Sequence, residues 1–144
     1  MIIRKGKEED CKGLLTLIQE LANYEKASKE VTITLETLKE DGFGKRPLFE
    51  FLVAEDKEEI VGIALYYPRY STWKGETLYP EDLVVKEKYR GKKIGSALFE
   101  RLLVEAKTRR VQRLEWQILE WNEPALNFYR SIKPVLIKNG SMGS

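Results

Sequence analysis

The chain has 144 residues, 42% hydrophobic and 33% charged, with a net charge of +2; that is one domain's worth of sequence, too apolar for a disordered chain. It holds no histidine and one cysteine, which excludes Ser-His-Asp and Cys-His catalysis, an internal disulfide and most zinc sites. No apolar run approaches the ~18 residues of a membrane span and Met1-Ile-Ile-Arg-Lys lacks a signal-peptide pattern, so a cytoplasmic address without membrane contact is expected.

In chain order, Ile2-Ile3-Arg4 predicts a short first strand. Asp10 is placed to cap a helix reaching about Tyr24, because Cys11, Leu14, Leu15, Ile18, Leu21 and Ala22 share one face at helical spacing. In that stripe Cys11 reads as core rather than nucleophile. Thr34 predicts a second cap, for a helix over Leu35–Asp41 closed by Gly42. Phe49, Phe51 and Val53 alternate as in a half-buried strand, and the polar turn at Asp56–Glu59 joins it to an apolar run from Ile60 to Tyr67, an antiparallel hairpin.

Thr77 to Val85 predicts a further strand, and Pro80, which cannot donate to a ladder, marks a bulge or break in its pairing. Ile94 to Lys107 predicts a helix with Ile94, Ala97, Leu98, Leu102 and Ala106 inward. Leu114, Trp116 and Ile118 alternate as a strand, and Asn122-Glu-Pro-Ala125 starts a last helix with Phe128, Tyr129 and Ile132 in its apolar stripe. Trp73, Trp116 and Trp121 read as packing. Gly140 to Ser144 is composed like a cloning remnant, leaving residues 1–139 as a single domain.

The near-neutral total hides an asymmetry. Between Lys86 and Arg113 stand ten Lys and Arg against three Glu, so this segment carries +7 and the rest −5. Such a patch suits a small polyanion such as a nucleotide cofactor, or else is a solvated helix face. Nucleic acid is a poor fit, since the segment offers no aromatic stacking platform beyond Tyr89 and Phe99.

Within the patch, Arg90-Gly-Lys-Lys-Ile-Gly-Ser96 follows a strand and opens a helix. A cationic turn at a helix start builds an anion cradle from backbone N–H groups and the helix dipole. Without the ending of a Walker loop or a three-glycine dinucleotide fingerprint, it also reads as a helix entry of no special purpose. Glu81 and Asp82 lie just upstream; on a period of two they point to opposite faces unless a bulge at Pro80 turns them.

In this order the pieces resemble the GCN5-related N-acetyltransferase superfamily, and within it the spermidine/spermine (diamine) acetyltransferase group. The residues carrying the resemblance are Glu20-Leu-Ala-Asn-Tyr-Glu25, Leu38 to Gly44, Leu78-Tyr with Glu81-Asp82, Tyr89-Arg-Gly91, Ile94-Gly-Ser96, and Glu120-Trp-Asn-Glu-Pro124 with Asn127-Phe-Tyr129. The resemblance implies an α+β (α/β) fold with a mixed, mostly antiparallel twisted sheet flanked by helices. It also implies a homodimer that uses acetyl-CoA, with no metal and no nucleic-acid partner.

The resemblance implies roles position by position. Arg90, Gly91, Lys92, Lys93, Ile94, Gly95 and Ser96 stand where the pyrophosphate loop stands, with Lys93 in place of its usual glycine. Leu83, Val84 and Val85 would run along the pantetheine arm, the amides of Leu83 and Val85 freed by the Pro80 kink. Asn122, Pro124 and Ala125 match further cofactor contacts, though Asn122 is equally a plain helix cap. Tyr129 matches the general acid, a phenol that keeps its proton at pH 7 for the departing thiolate; spacing alone also allows a core tyrosine. Glu81 matches the group that takes the amine proton through a water, and Tyr24, Glu25 and Asp82 match positions lining the amine channel, though the Tyr24–Glu25 pair is equally an exposed helix end.

After Tyr129 the chain departs from the family, whose turn and two further strands are replaced by a short segment with room for one strand at most. The acceptor pocket is then shortened or completed by another chain. The implied activity is acetyl transfer from acetyl-CoA to a primary amine of a polyamine or diamine, by direct attack in a ternary complex. Thialysine or another amino-acid-like amine is the alternative acceptor, and a non-catalytic acyl-CoA-binding domain is the rival from another class.

Overall fold

The computed structural model describes residues 1–73 and 75–109, together with the backbone of 136–137 and 141–142. Strands β1 (Ile2–Lys5), β2 (Glu50–Asp56), β3 (Glu59–Ser71) and β4 (Gly75–Val85) form one antiparallel sheet in the order β1-β2-β3-β4. Helices α1 (Cys11–Tyr24) and α2 (Leu35–Phe43) lie between β1 and β2 in sequence, and α3 (Ile94–Thr108) follows β4.

The helices cover both faces of the sheet. On one, Leu52, Ala54, Ala64, Tyr66 and Leu78 pack against Ile94, Leu98, Phe99 and Leu102 of α3. On the other, Phe51, Val53, Ile63, Leu65 and Val84 pack against Cys11, Leu14 and Leu17 of α1 and Leu38 of α2. Strand β2 is therefore buried through Phe51, Leu52, Val53 and Ala54 in succession, not half-buried as its alternation suggested. Each fully buried leucine stabilises the fold by about 2 kcal/mol.

The helix stripes hold with adjustments. Leu17 joins Cys11, Leu14 and Ala22 among the buried residues of α1, while Leu15, Ile18 and Leu21 are partly buried at the edge of the same cluster. In α3 the side chain of Phe99 is buried, and that of Ala97 only half so. Asp10 stands at the N-cap of α1 without a side-chain cap, because its carboxylate takes the Lys7 amide at 2.7 Å and two hydrogen bonds from the Arg4 guanidinium. Thr34 does cap α2, accepting from the Thr37 amide at 3.1 Å. That helix runs on through Gly42 to end at Gly44.

The β2–β3 turn has Lys57 and Glu58 at φ 50° and 67°, the left-handed pair that matches hairpin twist. Past Tyr66 strand β3 continues with β4 alone, and Trp73 between those two strands is 91% exposed, which corrects its reading as a packing residue. At the C-terminal end, β5 (Leu136–Ile137) pairs antiparallel with β6 (Ser141–Met142). One short strand, β5, stands in the segment expected to hold one at most, and its partner β6 lies in the tail set aside as a remnant. The strand expected at 114–118 and the helix from 125 lie outside the described residues.

Candidate active site

The site is built on an irregularity in β4. Leu65 pairs with Asp82 and Tyr66 with Pro80, so Glu81 is an extra residue with no partner across the ladder. This is the bulge that Pro80 predicted. Its consequence follows from the period of two. Tyr79 lies opposite Tyr67, and Asp82 lies opposite Leu65, both on the face covered by α1. Inserting Glu81 between them brings both acids to that face instead of opposite ones.

Hydrogen bonding and charge agree with this placement. The Tyr67 hydroxyl donates to Glu81 Oε1 at 3.0 Å. Burial, then this bond, pushes the Tyr67 phenol up to about 12. Asp82 is half-buried, and its carboxyl is pushed up to about 7 by burial first, then by the charges of Glu81 and Glu25. Glu25 follows the last residue of α1, so that helix end delivers a third acid to the same place.

The cationic turn lies beside the same helix end. The Arg90 guanidinium stands 5.7 Å from the ring centre of Tyr24, the last residue of α1. Gly91 and Lys93 have φ of 82° and 63°. Gly91 faces open space, where even a Cβ would meet nothing within 4 Å. Lys93, at the N-cap of α3, adopts the left-handed conformation that a glycine would take freely, at a cost of about 1–2 kcal/mol.

No side chain caps α3 and no acid lies in its first turn. Its first backbone bond runs from the Ala97 amide to the Lys93 carbonyl at 3.1 Å, so the amides of Ile94, Gly95 and Ser96 have no acceptor within the helix. Gly62 lets α3 start this close to the sheet, since a Cβ there would lie 3.1 Å from Leu98 and 3.2 Å from the Val84 carbonyl. Cations, left-handed backbone and an uncapped helix start together suit an anion.

Between the two features runs the edge of β4 that lies away from β3. Among the described residues nothing pairs with β4 on the side away from β3. The Lys86 amide donates to the Val61 carbonyl; antiparallel alternation then points Val84 and Asp82 amides at β3 and Leu83 and Val85 amides outward. The Val85 carbonyl also faces out, where it accepts from Arg90 Nε at 3.1 Å. An extended ligand would find two amides between the turn and the acids.

The basic patch is less uniform than its composition. Lys86 is paired with Glu59 at 2.9 Å, and Arg109, at the far end of α3, is paired with Glu50 and Glu105. Lys88 and Lys92 flank the Tyr89 ring at 5.4 and 5.1 Å. The structure thus brings together Tyr24, Glu25, Glu81, Asp82, Leu83, Val85 and the 90–96 turn. Tyr129, Asn122, Pro124 and Ala125 lie outside the described residues. Sequence reading missed Tyr67; the signal was Tyr66-Tyr67 on the strand facing Pro80. Among the described residues no group of acids and cysteine forms a metal site, and no helix is long and apolar enough to cross a membrane.

Residues 11–132 match the model of the Acetyltransferase (GNAT) family. The chain is 41% identical over 140 residues to thialysine N-epsilon-acetyltransferase of Bos taurus, covering 92% of this chain and 82% of the relative. It is 36% identical over 136 residues to spermidine/spermine N(1)-acetyltransferase-like protein 1 of Homo sapiens, covering 90% of this chain and 20% of the longer one. A solved mutant of the BH1408 protein from Bacillus halodurans shares the fold with a TM-score of 0.80 at 24% identity, over 92% of each chain.

Proposed function

Because the chain belongs to the acetyltransferase (GNAT) family, we propose that it transfers acetyl from acetyl-CoA to a primary amine of a polyamine or diamine, by direct attack in a ternary complex. The observation that carries this reading is the bulge that sets Glu81 and Asp82 on one side, next to the outward amides of Leu83 and Val85. The names of the relatives support amines as acceptors, and the thialysine enzymes favour an amino-acid-like amine as the second reading.

Bound acetyl-CoA supplies a thioester carbonyl open to a nucleophile. The residues of this chain do the rest. The amides of Ile94, Gly95 and Ser96, with Arg90, Lys92, Lys93 and Gly91, hold the pyrophosphate. Leu83, Val84 and Val85 seat the arm along β4, and Asn122, Pro124 and Ala125 complete its contacts. Tyr24, Glu25 and Asp82 draw in the ammonium, and Glu81 takes its proton through a water. As the C–N bond forms and the C–S bond breaks, the Tyr129 hydroxyl gives its proton to the sulfur.

The activity belongs in the cytoplasm and to a homodimer in this reading. One experiment tests it: acetyl-CoA consumption with spermidine, putrescine, thialysine and lysine. Turnover with at least one is expected. Tight acetyl-CoA binding with no turnover on any would replace the enzyme by a non-catalytic acyl-CoA-binding domain.

A further inference from the structure

Along the α1-side face of β3 and β4, beyond the acids, runs a stripe of a different character. Tyr67 and Tyr79 are paired across the strands with ring centres 5.4 Å apart. Arg69 lies two residues further on the same face, with its guanidinium 5.0 Å from the centre of the Tyr79 ring. Arg69 is exposed and forms no ion pair with any described residue. Glu81, the nearest acid on the stripe, instead accepts from the Tyr67 hydroxyl.

A cation and an acid group are thus held on one surface by two phenol rings, without closing on each other. Strand rise places the Arg69 position about 7 Å beyond Tyr67. In an extended lysine-like amino acid the side-chain nitrogen and the carboxylate carbon are also about 7 Å apart. The stripe matches such a molecule in order: ammonium at Glu81, which the Tyr67 hydroxyl holds, methylenes along the half-buried Tyr67, and carboxylate at Arg69. A guanidinium is the side chain best shaped for a carboxylate, which it grips through two parallel N–H bonds. Arg69 therefore favours the second acceptor reading above, the amino-acid-like amine, because a polyamine would bring a second ammonium to Arg69 and be repelled.

We propose that Arg69 is a specificity-determining residue that seats the carboxylate of an amino-acid acceptor, an inference that rests on the acetyl-transfer reading above. The test compares L-lysine with cadaverine, the same chain without the carboxylate, as acceptors for the full-length protein and for Arg69→Gln and Arg69→Glu. The wild type favours lysine in kcat/KM. Arg69→Gln raises KM for lysine about 10-fold or more while cadaverine changes less than about twofold, and Arg69→Glu reverses the preference. Unchanged melting temperatures show that the fold survives.

Equal use of both amines by the wild type, or equal loss of both in Arg69→Gln, overturns the seat while leaving acetyl transfer standing. If neither amine is consumed, acetyl transfer to this class fails. Calorimetric titration of lysine against cadaverine then still decides the seat: tighter lysine binding that Arg69→Gln abolishes supports it, and indifference removes it.

Discussion

The backbone amide of Lys86 donates to the carbonyl of Val61 at 2.9 Å, and that bond settles which groups of β4 face away from β3. It predicts opposite outcomes for proline at two adjacent positions. At Leu83 proline deletes an outward N–H and no ladder bond, so the fold should survive with a loss of about 1–2 kcal/mol from side-chain packing. Acetyl-CoA affinity should fall about 10-fold, the worth of one backbone hydrogen bond and some lost shape. At Val84 proline deletes a ladder bond and a buried side chain, and should cost about 3 kcal/mol or more. Urea unfolding and acetyl-CoA titration of both variants check this; equal damage at both positions would mean that the edge is not organised this way.

The proton-transfer roles give the second prediction. Tyr129→Phe should lower kcat about 100-fold or more, with acetyl-CoA binding nearly intact, because the ring is kept and only the donor is lost. Glu81→Gln should shift the pH–rate profile toward higher pH, since the amine must then lose its proton to solvent. The profile of each variant, with acetyl-CoA affinity measured separately, decides the two roles. Unchanged turnover in the first would remove Tyr129 as the acid, and an unmoved profile in the second would remove Glu81 as the base.

Both acids were legible as residues, but their common facing was not. Pro80 announces a bulge, yet only the register, with Leu65 on Asp82 and Tyr66 on Pro80, shows that the extra residue is Glu81. The resemblance had named the amides of Leu83 and Val85, and the Lys86 bond gives the physical reason that these two face away from β3. Helix stripes were legible because a covered face leaves a 3.6-residue rhythm. The length of α2 was not, since Gly42 in the helix lies against Phe49 rather than stopping the chain. Composition made one patch of residues 86–113, whereas ion pairs remove Lys86 and Arg109 from it. Exposure of Trp73 was invisible because hydrophobic content says nothing of how far a hairpin projects.

Asp82 ties the site to stability. Its carboxyl is raised to about 7 in the fold by burial and by Glu81 and Glu25, from an ordinary 3.8. The folded state then binds more protons than the unfolded one between those values, so stability falls as pH rises from about 4 to 7 and levels above. Asp82→Asn removes the dependence. The full shift is worth about 4 kcal/mol, and solvent screening of the half-buried carboxylate reduces it, so the variant should be about 2–4 kcal/mol more stable than wild type at pH 8, with the difference vanishing near pH 4. Urea midpoints at pH 4, 6 and 8 test it; a constant difference would show that Asp82 does not titrate in this window.

Lys93 offers a gain in stability at the opposite side of the site. Its φ of 63° costs about 1–2 kcal/mol in a residue with a Cβ, and glycine would relieve this at an entropic cost of about 0.5–1 kcal/mol. Lys93→Gly should therefore raise stability by about 0.5–1 kcal/mol. One cation near the phosphate seat is lost, so acetyl-CoA binding should weaken a few-fold with a shallower salt dependence. A lowered melting temperature would contradict the strain argument.

The network at the far end of α3 has the opposite pH sign. Glu105, 8% exposed, accepts from Arg109 and pairs with Lys5 at 3.0 Å, and Arg109 also bonds Glu50, which takes the Tyr66 hydroxyl at 3.2 Å. Burial opposes the charge on both glutamates, but Arg109 and Lys5 outweigh it and hold both below the usual carboxylate range. Stability from these groups is present above the ordinary glutamate value and lost as pH falls through their lowered values. Arg109→Ala leaves Glu50 and Glu105 side by side with Lys5 as their shared cation, and should cost about 2 kcal/mol at pH 7. The cost should shrink as acid protonates the two glutamates, so the wild-type and variant unfolding curves should converge toward pH 3. If the difference persists there, Arg109 acts through its guanidinium over the Tyr66 ring, 5.7 Å from the ring centre, rather than through its pairing with the glutamates.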